Sequence, residues 1–296
     1  MTPPPAGAAR TFFAPGKVVL LGEYAVLDGA PALVAAVDRG VGCRVVPGPW
    51  SIVTPPGTDD RFVRPALEAV DAPAARYHFY AQPPPTTRSK PGLGSSAAAT
   101  VVAALAGSVL GGAALGADPL HRLALQVHHR VQGSGSGIDV AAAAHGGVLR
   151  FERGKVTAAR PQAFAVAFSG TSASTGPRVQ HYLRWTPRTS FVEASRALVD
   201  DPAPLHLRLR HGAELLGAMA GEAGIAYWTP GLRALCDQAE AHGGGAKPSG
   251  AGGGDVVVAA FPDPDRRAAW VRAVTDAGFQ VIPTELSPGA HEGPPA

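Results

Sequence analysis

Three short stretches set glycine beside lysine: "APGKVVLLGE" at 14–23, "SKPGLGSSAA" at 89–98 and "AKPSGAGGGD" at 246–255. The chain has only four lysines, Lys17, Lys90, Lys155 and Lys247, and three of them lie in these stretches, while arginine serves as the general cation elsewhere. Bare glycine backbone lets N–H groups approach an anion closely, and a lone ammonium offsets its charge, so the combination suits phosphate. Taken singly, each stretch also fits a plain turn with a solvated lysine. The middle stretch is more selective. Gly92-x-Gly94-x-x-Ala97 matches a dinucleotide fingerprint only on the surface, because a proline-rich loop precedes it where a buried strand is required. The chain contains no GxxxxGK[ST] and no GxSxG, which excludes a Walker loop and a hydrolase elbow. There remains a tight glycine turn with Ser95 and Ser96 at a helix start, with one hydroxyl capping the helix. That arrangement suits a triphosphate and its magnesium ion, since the helix dipole favours anions there.

A fourth stretch, "QGSGSGIDVAAAAHGG" at 132–147, puts Asp139 between flexible glycines and a run of small residues. Two readings stand side by side: an N-cap before "VAAAA", or a carboxylate placed in a crowded cleft for proton transfer. His121, His128 and His129 lie on or near one helix, but without the i, i+4 spacing of a zinc pair, and the expected role is solvated or capping.

The elements that must carry these groups follow from pattern. Valine-rich extended segments flank "APGK", read as a turn, and continue over 32–47. "SIVTPPGTDD" reads as a loop, "RFVRPALEAVDA" as a short helix and "RYHFYAQ" as a strand. The Ala-rich run after Ser96 is a helix, and a second helix opens with Asp118 as cap and Pro119 at its first position. Past Pro161 the pattern gives a strand in "AFAVAFSG", three helices between 186 and 242, a strand in "DVVVAAF", a helix from Pro262 and a closing strand in "FQVIPTEL". The Pro/Gly-rich tail from Ser287 is expected to fray. This is a mixed α+β pattern in two halves with a boundary at 155–165.

At 296 residues with a net charge of +3, the chain has ample apolar content for a packed core and no basic run, which argues against a nucleic-acid partner. Residues 97–117 carry no charge and include Gly107-x-x-x-Gly111, but alanine and glycine give too little drive for bilayer insertion, so a close-packed buried helix is expected and no membrane. Cys43 and Cys236 are far apart, and the N-terminus lacks a secretory pattern, which fits a cytoplasmic protein. The number of subunits stays open.

In this order, "APGKVVLLGEYAVLDGAPAL", "GLGSSAA", "GSGIDVAAA" and "SGAGGGD" resemble the GHMP family of small-molecule kinases, from about Thr11 to Phe261. The resemblance implies a ribosomal-protein-S5-domain-2-like N-terminal domain over 1–160, a ferredoxin-like C-terminal domain over 161–286 with a flexible tail at 287–296, and an active site between the domains. Within the family the wording is most similar to the phosphomevalonate kinases. "FSGTSASTGPRV" resembles their serine-rich substrate segment, and His128 stands where mevalonate kinases usually place a magnesium-binding glutamate. "SGID" and "LLGEYAVLDG" suit mevalonate kinases as well. The resemblance implies ATP and Mg2+, with Lys90, Gly92, Leu93, Gly94, Ser95 and Ser96 at the nucleotide and Ser96, or Ser95, on the metal. Asp139 and Lys17 are the implied catalytic pair. A phosphorylated hydroxy acid would meet Glu23, Tyr24, Ser136, Gly137, Ser172, Ser174, Thr175 and Arg178. It would also meet the third glycine loop: Ser249, Gly250, Ala251, Gly252 and Gly253.

Overall fold

The computed structural model describes residues 9–82, 92–133 and 135–294. In chain order the first part comprises β1 (Arg10–Leu21), β2 (Ala32–Val46), β3 (Ser51–Val53), α1 (Val63–Glu68), β4 (Arg76–Gln82), α2 (Ser95–Leu110), α3 (Ala117–Gln132), α4 (Ile138–His145), β5 (Val148–Glu152) and β6 (Lys155–Ala158). The second part comprises β7 (Ala165–Phe168), α5 (Thr175–Arg184), α6 (Thr189–Asp200), α7 (Leu205–Glu222), α8 (Pro230–Ala241), β8 (Gly245–Pro248), β9 (Val256–Ala260), α9 (Pro264–Asp276), β10 (Gln280–Ile282) and β11 (His291–Glu292).

The first sheet runs β11-β1-β2-β4-β3, with β5 pairing β2 and β6. "APGK" is not a turn: it lies inside β1, and the irregularity shows instead as register shifts between Pro15 and Gly16 and between Val19 and Leu21. Proline and glycine are tolerated there because a bulge already interrupts the ladder. Likewise Ser51–Val53, expected as loop, pairs in parallel with β4. One face of this sheet, with Phe12, Cys43, Tyr77 and Phe79, packs on α2, α3 and α4 through Val101, Leu105, Leu120 and Val140. The expected small-residue packing of α2 is present. A β-carbon at Gly107 would stand 2.6 Å from Val70 Cγ2, so this helix passes close to the end of α1. Among the described residues no helix is long and apolar enough to cross a membrane.

The second sheet has the order β10-β7-β9-β8, every neighbour antiparallel. Numbered within that half it reads 4-1-3-2, the split βαβ arrangement of a ferredoxin-like domain. α8 and α9 start at Thr229 and Asp263, each with a side-chain cap followed by proline. The two halves share a core in which Val18, Leu20 and Leu33 meet Val166, Leu209, Val256 and Val258.

The tail is a correction. Ser287 is buried, its N–H donates to Ala36 O (3.1 Å), and its carbonyl accepts from Gly147 N (2.8 Å). Ala290 N donates to Ala143 O, and β11 pairs with β1 opposite Phe12 and Phe13. The strand edge of β1 and the glycine turn after α4 leave backbone groups in need of partners, and the tail supplies them despite its composition.

Candidate functional site

The outer edge of β1 is covered by β11 only at Phe12 and Phe13; beyond that point two glycine loops dock on it. Lys17 N donates to Leu93 O at 2.8 Å, and Val19 N donates to Ser249 Oγ at 2.9 Å. Gly16 makes the first docking possible, since a β-carbon there would stand 2.5 Å from Leu93 O. One strand edge thus brings the second and third glycine stretches together.

The turn at Gly92–Gly94 leads into α2. Gly94, in the left-handed region at φ 81°, is the N-cap, so Ser95 and Ser96 are the first helical residues and neither caps the helix as expected. Their hydroxyls are therefore left beside the helix's free N–H groups. A β-carbon at Gly94 would stand 3.0 Å from Lys17 Cγ and 3.7 Å from Asp139 Cβ, which fixes those three residues around one point. Asp139 is not a cap either: Gly137, at φ 81°, precedes α4 and Asp139 sits in its first turn. The N-termini of α2 and α4 therefore meet, with Lys17 between them, 8% exposed and its ammonium donating to Gly92 O at 3.2 Å. Two helix N-termini and an ammonium make a strongly anion-attracting corner.

His128 is another correction. Neither it nor His121 is solvated: both are 5% exposed, and only His129 lies on the surface. His128 stacks on Phe62 and brings Nε2 to 3.4 Å from Ser96 Oγ. Burial lowers its pKa against the opposing pull of Asp139, so the imidazole is held neutral beside the hydroxyl. Its helix has also shifted from expectation: α3 starts at Ala117 after Gly116, with Asp118 in the first turn and not at the cap.

The third loop is held from below. Glu23, expected at the substrate, is 5% exposed. Its Oε1 pairs with the ammonium of Lys247 (0% exposed) and accepts from Gly250 N at 3.2 Å. Lys247 also donates to Pro248 O, so this lysine, fully buried, braces the loop from within, and its anionic partner is the protein's own Glu23. Ser249 is likewise buried, its Oγ accepting from Val19 N and donating to Val19 O. Tyr24, at φ 61°, donates its hydroxyl to Ala251 O at 2.6 Å, and burial pushes its pKa up. Tyr24 and Ser249 thus spend their hydroxyls on the protein's own backbone, as Glu23 spends Oε1, whereas Glu23 Oε2 is buried without a hydrogen-bond partner among the described residues.

Gly252 and Gly253 have φ of 70° and 72°, and both face close neighbours: the Tyr227 ring under Gly252 and the Arg178 guanidinium against Gly253. Arg178 also donates to Ser174 O at 2.7 Å, at the start of its own helix, and its contact with Gly253 ties α5 to this loop. Ser172, Ser174 and Thr175 are exposed at the start of α5, and Ser136 Oγ accepts from Ile138 N at 3.4 Å before α4. Lys90 lies outside the described residues. Asp255 was not singled out from the sequence, although it closes the third stretch. A β-carbon at Gly92 would stand 2.5 Å from its Oδ2, so it reaches the Gly92–Gly94 turn.

Comparison with known proteins agrees with this layout. The sequence models "GHMP kinases N terminal domain" and "GHMP kinases C terminal" match residues 62–147 and 205–280. A phosphomevalonate kinase of Streptomyces sp. (strain CL190) is 30% identical over 83% of this chain and 88% of its own. The chain belongs to the GHMP kinase family. A mevalonate kinase of Aeropyrum pernix is also 30% identical, over 84% of this chain and 88% of its own. The solved structure of Streptococcus pneumoniae phosphomevalonate kinase in complex with phosphomevalonate and AMPPNP superposes with a TM-score of 0.80 at 19% identity. It covers 94% of this chain and 99% of that one. The two-domain α+β fold of these kinases is therefore the fold of this chain.

Proposed function

We propose that this GHMP kinase transfers the terminal phosphoryl group of ATP to 5-phosphomevalonate, giving 5-diphosphomevalonate. The observation that supports the reading is a pair of cations on separate glycine loops: the Arg178 guanidinium lies against Gly253 of the third, and the Lys17 ammonium donates to Gly92 O of the second, so that Arg178 would face the acceptor and Lys17 the nucleotide. A phosphorylated hydroxy acid and a triphosphate bring two polyanions end to end, and catalysis then rests mainly on cations that hold them in line. A second phosphate pKa near ~6 leaves the acceptor oxygen largely anionic at neutral pH, so a strong base is not required.

The residues fit the nucleotide and metal. The N–H groups of α2 behind Gly94 would receive phosphate oxygens, and any side chain at 94 would crowd Lys17. The Ser96 hydroxyl would serve Mg2+, a hard cation that takes oxygen ligands and keeps several waters. Neutral His128 can accept a hydrogen bond from the Ser96 O–H at Nε2 and leave the oxygen lone pairs for the metal. Bound there, the ion would draw charge from the transferring phosphoryl group. Lys17 would pair with the developing charge, and Asp139 would orient the acceptor.

A second reading, mevalonate as acceptor, draws on the approach of Asp139 and Lys17 to the same point beside Gly94. An alcohol of high pKa needs such a carboxylate as base. ADP release measured over 5-phosphomevalonate, mevalonate and homoserine separates the two. The proposal requires phosphomevalonate to give the highest kcat/KM, and turnover of mevalonate alone would reject it.

A further inference from the structure

Asp255 joins three parts of the site that no other side chain joins among the contacts described above. Its Oδ1 accepts from Ala173 N at 3.0 Å, in the segment that carries Ser172 and Ser174. Its own N–H donates to Thr171 O at 2.6 Å, and its carbonyl accepts from Ser169 N at 2.9 Å. The other carboxylate oxygen, Oδ2, lies against the α-carbon of Gly92 in the nucleotide turn, where a methyl group would have no room. Asp255 also stands at φ 60°, a conformation that costs energy in any residue with a β-carbon. Retaining an acid here, in a site built for polyanions, calls for a reason. Direct phosphate binding is excluded by like charge, and the hydrogen bond to the serine segment remains.

We propose that Asp255 is a positioning residue for phosphoryl transfer: it ties the serine segment to the third glycine loop and seats both against the nucleotide turn. This rests on the kinase reading above. Burial raises the Asp255 pKa, and the Ala173 N–H, Lys17 and Arg178 work the other way, which places both cations within electrostatic reach. Loosening the clasp frees the start of α5, where Arg178 sits, while the Lys17–Leu93 hydrogen bond still holds the nucleotide turn on β1. The acceptor side is therefore the side that suffers.

Two variants separate the clasp from the charge. In Asp255→Asn the amide oxygen can still accept from Ala173, and asparagine tolerates a left-handed backbone. In Asp255→Gly the conformation is free of strain but the acceptor atom is gone. The Asn variant is expected to keep the acceptor KM within about threefold of the unmodified enzyme, whereas the Gly variant raises it about tenfold or more and the nucleotide KM by less than about threefold. An unchanged acceptor KM in Asp255→Gly, an equal rise in both KM values, or an Asn variant as impaired as the Gly variant would overturn the proposal. Where the Gly variant does not fold, Asp255→Ser, too short to reach Ala173, gives the same reading. All assays use whichever acceptor gives the unmodified enzyme its highest kcat/KM. An error in acceptor identity then shows in the unmodified enzyme, and an error about Asp255 shows only in the variants.

Discussion

At the scale of single residues, the site depends on where side chains are withheld as much as on where they are placed. Gly94 turns the chain with φ 81° and leaves room for Lys17 and Asp139 to approach the same point. Asp139 illustrates how two readings from sequence are separated by one structural fact. Gly137 takes the cap position, so the carboxylate is released from helix capping, and the Asp139 β-carbon stands beside the corner at Gly94. Asp139→Asn is accordingly expected to lower kcat by about tenfold, as suits a group that orients the acceptor and is not needed as a strong base, while nucleotide affinity changes by less than about threefold. Steady-state kinetics alongside calorimetric titration with a non-hydrolysable nucleotide checks this. Equal losses in both would make Asp139 a structural group.

At the scale of elements, α3 and α4 are locked together by histidines as well as by apolar contacts. His145 Nε2 stands 3.4 Å from His121 Nδ1, and Asp118 lies 3.7 Å from His145 Nε2. Burial, with His145 nearby, lowers the His121 pKa from 6.5 to about 4. The unfolded chain takes up a proton at His121 below about pH 6.5, and the folded protein resists it until about pH 4, so the unfolded state binds more protons in between. Stability contributed by the neutral buried ring is complete above about pH 6.5 and is lost as pH falls towards 4, to an extent of about 3 kcal/mol. Burial of His128 and His145 acts in the same direction. Thermal melts of His121→Gln at about pH 7 and about pH 5 are expected to differ less than those of the unmodified protein. An unaltered pH dependence would show that His121 does not carry the effect.

At the scale of the whole molecule, two fastenings hold the halves in register. Lys247 on β8 pairs with Glu23 at the end of β1, both almost wholly removed from water. A buried pair adds little net stability over an apolar pair, but removing one partner strands the other charge. Glu23→Gln is expected to cost about 3 kcal/mol in urea unfolding, and the added change Lys247→Met to recover at least half of it. A double variant as unstable as the single one would assign the loss to packing. The second fastening is the tail, which crosses from β10 to the first sheet and holds Ala36, Ala143 and Gly147. Ending the chain after Thr284 should lower the melting temperature and reduce kcat more than Lys155→Ala, a change on exposed β6. Equal behaviour of the two would show the tail to be dispensable.

What local pattern encodes was legible in the sequence alone. Periodic apolar spacing located the helices and most strands, the glycine–lysine stretches marked three segments that meet along β1, and the order of four motifs named the family. Partners distant in the chain were not legible, because neither burial nor charge pairing leaves a local signature. Nothing in "GEYA" and "GAKPS" says that Glu23 and Lys247, 224 positions apart, neutralise each other. Nor does the composition of "SPGAHEG" reveal that a strand edge across the molecule needs it. Tertiary structure alone decided which polar groups are spent inside the fold, as Lys247 and Ser249 are, because burying a polar group or charge without a partner is costly.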